Sequence, residues 1–222
     1  MSTSRDAILG KIRRALGVEA DDTARNAAVD GRLTRHPAGI VPARGQGSPA
    51  EQLALFTQMA EKTGTTVERV PAAAAIPEAI AAYLRGRNLP ARLRMGDDVM
   101  LNSLPWARTQ IETSNGASDG NDLIGLSHAY GAVAESGTLV LVSGAANPTT
   151  LNFLPETHIV VLDRDGLVGD YEAIWTKLRG DYGRAMPRTV NMITGPSRSA
   201  DIEQTIVRGA HGPPNLHIVV VG

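Results

Sequence analysis

The sequence predicts an α/β fold in which a mostly parallel sheet is flanked by helices and preceded by an N-terminal helical arm. From residue 50 onward, helix-like and strand-like patterns alternate along the chain. Three of the strand candidates, at 138–142, 158–162 and 216–221, are almost uninterrupted apolar runs. Strands that are apolar on both faces are typical of parallel sheets, because helices cover such sheets on both sides.

Other elements follow from periodicity. Apolar residues three or four positions apart predict helices over 53–60, 76–84 and 171–178. We also expect helical segments over 127–134, where small residues predominate, and over 199–207. Further strands are expected at 65–70, 91–95, 123–126 and 189–194.

The first 49 residues are expected to form a helix followed by an extended arm. Ile8, Ile12 and Leu16 place an apolar stripe on one face of residues 3–17, and Gly17 would end that helix. Residues 18–49 are rich in Asp, Arg, Gly and Pro without sustained periodicity, which predicts a loop or surface arm. The predicted organisation is therefore an N-terminal helix and arm over 1–49 and one α/β domain over 50–222.

Composition restricts the classes of function. The 222-residue chain is 42% hydrophobic, has a net charge of −1 and contains no cysteine. Without cysteine, the chain itself cannot form a disulfide, a thiol nucleophile or a cysteine-ligated cluster. A near-neutral chain is not drawn to nucleic acid, and no apolar run approaches the ~20 residues of a membrane span. The first residues lack the long apolar stretch expected of a signal peptide. We therefore expect a soluble, cytoplasmic protein without a nucleic-acid partner or a membrane span.

The first candidate site is the turn between a strand ending at Ile193 and the helix expected from Ser199. We expect this turn at the carboxyl end of a parallel strand, where α/β proteins usually bind ligands. The N–H groups of a helix N-terminus bind anions, and an adjacent hydroxyl and guanidinium would assist. Alternatively, a serine only caps the helix and an acidic side chain complements its dipole. The candidate anion-binding residues are Thr194, Gly195, Pro196, Ser197, Arg198 and Asp201.

The second candidate lies between the expected helix over 127–134 and the strand over 138–142. Glu135 is the candidate catalytic residue there, as a base, a nucleophile or a hydrogen-bond acceptor. Ser136, Gly137 and Thr138 follow it and are expected to line the same ligand site. Alternatively, Glu135 satisfies backbone N–H groups of the turn while Gly137 supplies an unusual dihedral angle.

Two further polar residues are candidates. His211 stands between small residues ahead of the last strand, where it would be an accessible proton carrier or ligand group, although such loops usually lie opposite the ligand crevice. Asn152 precedes the strand that contains His158 and would either line a site or pack in a connection. We predict no metal site, because the remaining histidines lack metal-ligand spacing: His36, His128 and His217.

Four segments resemble, in order, the LUD-domain family, and in particular its lactate utilization protein C (LutC/YkgG) branch. The segments are Ala134–Leu141, Leu154–Ile159, Ile193–Glu203 and Gly209–Pro213. The resemblance covers 130–222 well and 50–130 more loosely. Departures from the family pattern are small: Ser136 and Ser199 stand where Thr is frequent, and Ala210 where Val is common.

The resemblance implies a fold similar to the NagB/RpiA/CoA-transferase group and membership of a three-protein system that oxidises L-lactate to pyruvate. It also implies that the two partner proteins carry the iron–sulfur clusters, so that this chain, which has no cysteine, needs no cofactor of its own. The resemblance supplies a pathway and partners rather than a mechanism.

Three functional hypotheses remain open at this point. In the first, the chain is a non-redox subunit that binds a small carboxylate or other anion, or assembles the partners. In the second, it is a stand-alone enzyme of the CoA-transferase or sugar-phosphate isomerase type that uses Glu135. In the third, it is a scaffold in which both motifs serve only the fold.

Overall fold

The structure of the chain is a computed structural model that describes residues 4–19, 21–200, 206–209 and 211–222; for 199, 200 and 206–208 it describes the backbone alone. The helices of the described residues are α1 (Ser4–Leu16), α2 (Thr23–Arg35), α3 (Pro49–Lys62), α4 (Ile76–Gly86), α5 (Val99–Ser103) and α6 (Tyr171–Tyr182). Their strands are β1 (Thr66–Val70), β2 (Arg92–Met95), β3 (Glu112–Asn115), β4 (Ile124–His128), β5 (Gly131–Val133), β6 (Thr138–Val142), β7 (Thr157–Asp163), β8 (Leu167–Val168), β9 (Val190–Ile193), β10 (Arg198–Ala200), β11 (Ile206–Arg208) and β12 (Asn215–Val221).

Two compact units make up the chain, Met1–Ile40 and Val41–Gly222. In the first, α1 confirms the predicted helix over 3–17, whereas the predicted loop is wrong over α2. The Asp22 side chain accepts a hydrogen bond from the Arg25 N–H (3.0 Å) at the start of α2, and His36 ends it in the left-handed region (φ 44°). Because α2 buries no residue, no apolar face indicates it in the sequence. Its ends are defined instead by the capping residues Asp22 and His36.

The second unit is built on a six-stranded sheet in the order β1-β12-β7-β4-β2-β3. All five strand pairings are parallel, which confirms the predicted fold class. Along β7, Ile159 and Val161 pack in the cluster that contains α4, whereas Val160 and Leu162 pack in the cluster that contains α3. The strand is therefore apolar on both faces because both faces are covered.

A second, four-stranded sheet in the order β8-β5-β6-β9 contains one of the apolar strands expected in the parallel sheet. β6 runs antiparallel to both β5 and β9. Its Leu139 and Leu141 pack towards the large sheet and α3, while Val140 packs with Ile174 of α6. An apolar run indicates a strand that is buried on both faces. Both faces of β6 are indeed covered, but both of its neighbouring strands run antiparallel to it.

Two helix predictions are wrong. Residues 127–134 hold the end of β4 and all of β5, because their small residues permit close packing of strands: a Cβ on Gly131 would lie 2.6 Å from the Gly166 carbonyl oxygen. The helix expected from Ser199 is also absent at its start, since β10 pairs antiparallel with β11 there. The rest of that predicted helix falls largely on 201–205, outside the described residues.

Helices α3 and α4 confirm their predictions and show how sequence sets them. α3 begins with reciprocal hydrogen bonds between Ser48 and Glu51, and it buries Leu53, Phe56 and Ala60. α4 has proline in its first turn, as predicted, and buries its apolar face against the large sheet. In the part of the chain that the structure describes, no helix has both the length and the apolar character required to span a bilayer.

Candidate functional site

The two candidate motifs meet where the start of β6 lies beside the end of β9. The Oγ1 atom of Thr138 lies 2.6 Å from Oγ1 of Thr194 and 2.8 Å from the hydroxyl of Tyr171. The Ser136 Oγ lies 2.7 Å from Oγ1 of Thr138 and donates to the Tyr171 hydroxyl (3.0 Å). Three predicted site residues therefore share one hydroxyl cluster with a tyrosine that the sequence analysis missed.

Glycines hold both turns against the C-terminal end of α3. Gly137 (φ 67°) lies so close to the helix that a Cβ would be 2.5 Å from the backbone nitrogen of Ala60. Gly195 (φ 79°) approaches Thr63 in the same way, at 2.6 Å from a built Cβ to the side chain. Both the positive φ and the close approach demand glycine, so the backbone conformation explains these two residues.

Glu135 lies on the turn between β5 and β6 and is 4% exposed. Its Oε2 is 3.9 Å from Nε of Arg44 and has no hydrogen-bond partner among the described residues. The Glu135 backbone N–H donates to the Gly169 carbonyl (3.1 Å), which fixes the turn. A buried carboxylate oxygen without a hydrogen bond retains the capacity to accept one from a ligand or a proton donor.

Arg198 is exposed, and its guanidinium lies against Gly64, just beyond the end of α3; a Cβ on that glycine would meet the guanidinium. A positive charge at a helix C-terminus is favourable, so this placement has a structural explanation. The helix N-terminus expected at this position is wrong, because Arg198 begins β10, and anion binding by this turn stays a prediction. Asp201, which that site included, falls outside the described residues.

A cavity of about 210 Å³ is lined by Gly195, Pro196 and Ser197 of the first motif and by His211. Its apolar wall contains Met192, Ile193 and Leu216, and His211 is exposed at its rim. Glu135 and the hydroxyl cluster are not among the described residues that line it. The full lining is Asn152, Phe153, His158, Met192, Ile193, Gly195, Pro196, Ser197, His211, Gly212, Pro213 and Leu216.

The cavity lies at the amino end of the parallel strands, since His158 is the second residue of β7 and Leu216 the second of β12. The expectation that the Gly195–Arg198 turn lies at the carboxyl end of a parallel strand is therefore wrong. The turn does not lie at the carboxyl end of a parallel strand because β9, which precedes it, pairs antiparallel with β6 in the smaller sheet.

Three fully buried polar side chains form a hydrogen-bonded row beside this cavity. Nε2 of His158 lies 3.0 Å from the Ser127 Oγ, which donates to Oδ1 of Asn152 (3.2 Å). Burial lowers the pKa of His158 to about 3, so its ring is neutral at physiological pH. Nδ1 of His158 and Nδ2 of Asn152 have no hydrogen-bond partner among the described residues, and both side chains line the cavity.

A second cleft, of about 540 Å³, lies at the carboxyl ends of β4 and β7. There the His128 ring lies between two carboxylates, with Nδ1 3.2 Å from Asp98 and Nε2 3.1 Å from Asp163. Burial opposes the charged ring, but the hydrogen bonds and charges of both carboxylates raise the pKa of His128 overall. Across the described ranges, no cluster of three or more His, Asp or Glu side chains is arranged to hold a metal ion.

Relatives that share one name are similar in sequence to about half of this chain. A relative called lactate utilization protein C in Geobacillus sp. (strain WCH70) is 38% identical over 100 residues, which is 44% of this chain and 42% of the relative. The protein of the same name in Halalkalibacterium halodurans is 35% identical over 118 residues, 52% of this chain and 51% of the relative. The matches thus span about half the length of these curated relatives.

A solved structure of similar fold is that of a DUF162 family protein from Deinococcus radiodurans, with a TM-score of 0.61 and 22% identity. The similarity covers 79% of this chain and 99% of that one, and it supports the fold alone. The family model of the LUD domain matches residues 53–221, which is most of the chain and nearly all of the second unit. The chain therefore belongs to the LUD-domain family.

Proposed function

We propose that this chain is a lactate utilization protein C-like subunit of an iron–sulfur system that oxidises L-lactate to pyruvate. The observation that carries the proposal is the name shared by relatives at 35% to 38% identity. The subunit itself carries no redox cluster; the clusters belong to its cytoplasmic partner proteins. Its own part is to bind a small anionic ligand or to assemble those partners.

The cavity supports the ligand-binding part of this proposal. Its 210 Å³ is small beside the ~300–1,000 Å³ of pockets for drug-sized ligands, which favours a molecule of a few heavy atoms. Asn152 and Ser197 both line it, and both side chains contain hydrogen-bond donors. Hydrogen bonds from such donors to an ionised carboxylate are charge-assisted and therefore stronger than those to a neutral acceptor.

The experiment is purification of the tagged full chain from its own host grown on L-lactate, with L-lactate oxidation measured in the eluate. We expect cysteine-rich partners, iron–sulfur absorption in the visible spectrum and oxidation of lactate. A colourless, solitary protein from cells that oxidise lactate would contradict the proposal.

Arg198→Ala tests whether the exposed guanidinium of the residue that follows Ser197 takes part in ligand binding. We expect a raised KM for L-lactate in the purified system with the complex intact. Arg92→Ala is the matched control, because Arg92 is also exposed and forms an ion pair with Glu112 on the last strand of the large sheet. Unchanged KM in both variants would limit Arg198 to its structural contact at Gly64.

A stand-alone CoA-transferase or isomerase is the second candidate, favoured by the buried Glu135 carboxylate whose Oε2 lacks a hydrogen bond among the described residues. It requires turnover of an acyl-CoA or sugar phosphate by the isolated chain, abolished by Glu135→Gln. Absence of turnover in such a screen, together with co-purifying partners, would leave the subunit hypothesis.

A further inference from the structure

Helix α1 carries an exposed apolar stripe. Ile8, Ile12 and Leu16 are spaced four residues apart on one face of the helix, and they are 57%, 49% and 59% exposed. No residue of α1 or α2 is buried. The three hydrophobic core clusters of the described residues are formed from Leu53 onward, so the cores of the α/β fold form without this stripe.

A helix of this length usually needs a partner for its apolar face. The 13 residues of α1 gain little stability in water from their own hydrogen bonds, because the first turn of a helix is costly to form. The match to the LUD domain begins at residue 53, after both α1 and α2. The stripe of α1 is therefore available to another molecule.

The charges of α1 define the chemistry of that molecule. The helix has four basic side chains and one acidic side chain. With about 3.6 residues per turn, Lys11 and Arg13 project roughly 100° to either side of Ile12, and both are exposed. A positive charge thus borders the stripe on each flank. Charge complementarity requires carboxylates on both rims of the surface that receives the stripe.

We propose that α1 docks in an apolar groove bordered by Asp and Glu side chains on one of the iron–sulfur proteins of the lactate system. Helix-in-groove recognition uses apolar anchors that recur along one helix face, and Ile8, Ile12 and Leu16 are the anchors here. The inference rests on the proposed function and adds the surface by which this chain assembles its partners.

Two other occupants fit the stripe and its charges less well. A second copy of this chain would place Lys11 and Arg13 of one α1 beside the same basic side chains of the other, and like charges across an interface are unfavourable. An anionic membrane attracts a basic helix, but interfacial helices typically insert Trp or Phe, and α1 has no aromatic residue.

The first experiment compares variants of the tagged full chain purified from its own host grown on L-lactate. Ile8→Gln combined with Ile12→Gln, the stripe variant, removes the anchors and introduces a good helix former. Ala7→Gln is the matched control, because Ala7 is exposed on the opposite face of α1. We expect the stripe variant to retain roughly tenfold less iron–sulfur protein, identified by mass spectrometry and visible absorption, and the control to retain all of it.

Arg13→Glu and Arg14→Glu test the charged rims. Both arginines lie in the last turn of α1, so both substitutions remove the same favourable interaction with the helix dipole. Only Arg13 borders the stripe, since Arg14 projects from the face opposite Ile12. We expect Arg13→Glu to weaken association roughly fivefold at low salt and less at high salt, and Arg14→Glu to have little effect.

A carbodiimide cross-link tests the acidic character of the groove. The reagent joins an amine to a carboxylate in contact with it, and the chain has three lysines, Lys11, Lys62 and Lys177. We expect a link from Lys11 to an Asp or Glu of the iron–sulfur protein. Lys11→Arg should retain association without the link, because a guanidinium keeps the positive charge but lacks the amine.

Several results would overturn the inference: equal retention of partners by the stripe variant and Ala7→Gln, equal effects of Arg13→Glu and Arg14→Glu, a Lys11 link to a second copy of the chain, or binding to phosphatidylglycerol vesicles that the stripe variant loses. Partners retained by the stripe variant would remove this inference and leave the proposed function. A wild-type chain that purifies without iron–sulfur partners would contradict both.

Discussion

His158 and His128 lie at opposite ends of two neighbouring strands in the same sheet, and their electrostatic surroundings are opposite. His158, near the amino end of β7, is buried beside a neutral serine, and burial lowers its pKa to about 3. His128, the last residue of β4, lies between Asp98 and Asp163, which raise its pKa despite burial. Burial alone thus removes the charge of an imidazole, whereas two carboxylates preserve it.

The two sites also differ in how many hydrogen bonds remain available. Both ring nitrogens of His128 have a carboxylate partner, while Nδ1 of His158 has no partner among the described residues. The cleft at the carboxyl ends of β4 and β7 is larger, but both ring nitrogens of its histidine are already hydrogen-bonded. The polar group at the amino ends of the strands is therefore held by burial, whereas the one at the carboxyl ends is held by charge.

The largest expected difference between the two regions concerns their glycines. Gly195→Ala should destabilise the protein by about 2–4 kcal/mol, since alanine is strained at φ 79° and its Cβ would meet Thr63. Gly144 lines the other cleft, has nothing within 4 Å of a built Cβ and has no positive φ. Urea unfolding of Gly195→Ala and Gly144→Ala measures both effects.

We expect Gly144→Ala to change the free energy of unfolding by less than about 0.5 kcal/mol. Equal losses in the two variants would show that the close approach of the Gly195 turn to α3 is not as described.

The next effect is the dependence of stability on pH in His158→Gln. The native His158 ring stays neutral down to a pH of about 3, whereas the unfolded ring takes up a proton near its ordinary pKa of 6.5. Its contribution to stability is therefore present above pH 6.5 and is lost as the pH falls. Between pH 6.5 and 5 the wild type should lose about 1.5–2 kcal/mol more than His158→Gln.

Chemical unfolding at both pH values measures this difference, and contributions of the other histidines cancel because both proteins share them. The same acid sensitivity in wild type and variant would indicate that His158 titrates normally in the folded protein.

A smaller effect of opposite sign is expected at His128. Its raised pKa means that pairing with Asp98 and Asp163 stabilises the fold fully below pH 6.5 and is lost as the pH rises through the native pKa. His128→Gln should therefore cost about 1 kcal/mol at pH 6 and less at pH 9, because the cleft is partly exposed to solvent. Thermal melting at the two pH values measures this, and a cost that grows with pH would refute it.

Much of the fold was predictable because burial leaves a direct record in the sequence. The apolar runs of β7 and β12 and the helical spacing of α3 and α4 confirm their predictions, since each element packs against a core. The errors arise where local sequence is ambiguous. Small residues over 127–134 suit strands as well as a helix, and the apolar run of β6 does not reveal its antiparallel partners.

The candidate site was predictable only in part. The motifs predict Gly195, Pro196, Ser197 and His211 as ligand residues, and all four line the cavity, as does Asn152, for which the sequence leaves open a site or a packing role. His158 is predicted only as part of an apolar strand, and the sequence assigns it no role in a site. A histidine that interrupts such a run is the signal that could have found it, but its partner Ser127 comes from another strand and is visible only in three dimensions.

The most direct test is a ¹⁵N–¹H NMR spectrum of the histidine rings of the full chain, recorded from pH 5 to 8 with and without L-lactate. We expect His158 to remain neutral throughout, because burial holds its pKa near 3, and its ring resonances to move when L-lactate is added, because His158 lines the cavity. A His158 ring that titrates near pH 6.5 or ignores L-lactate would contradict the account.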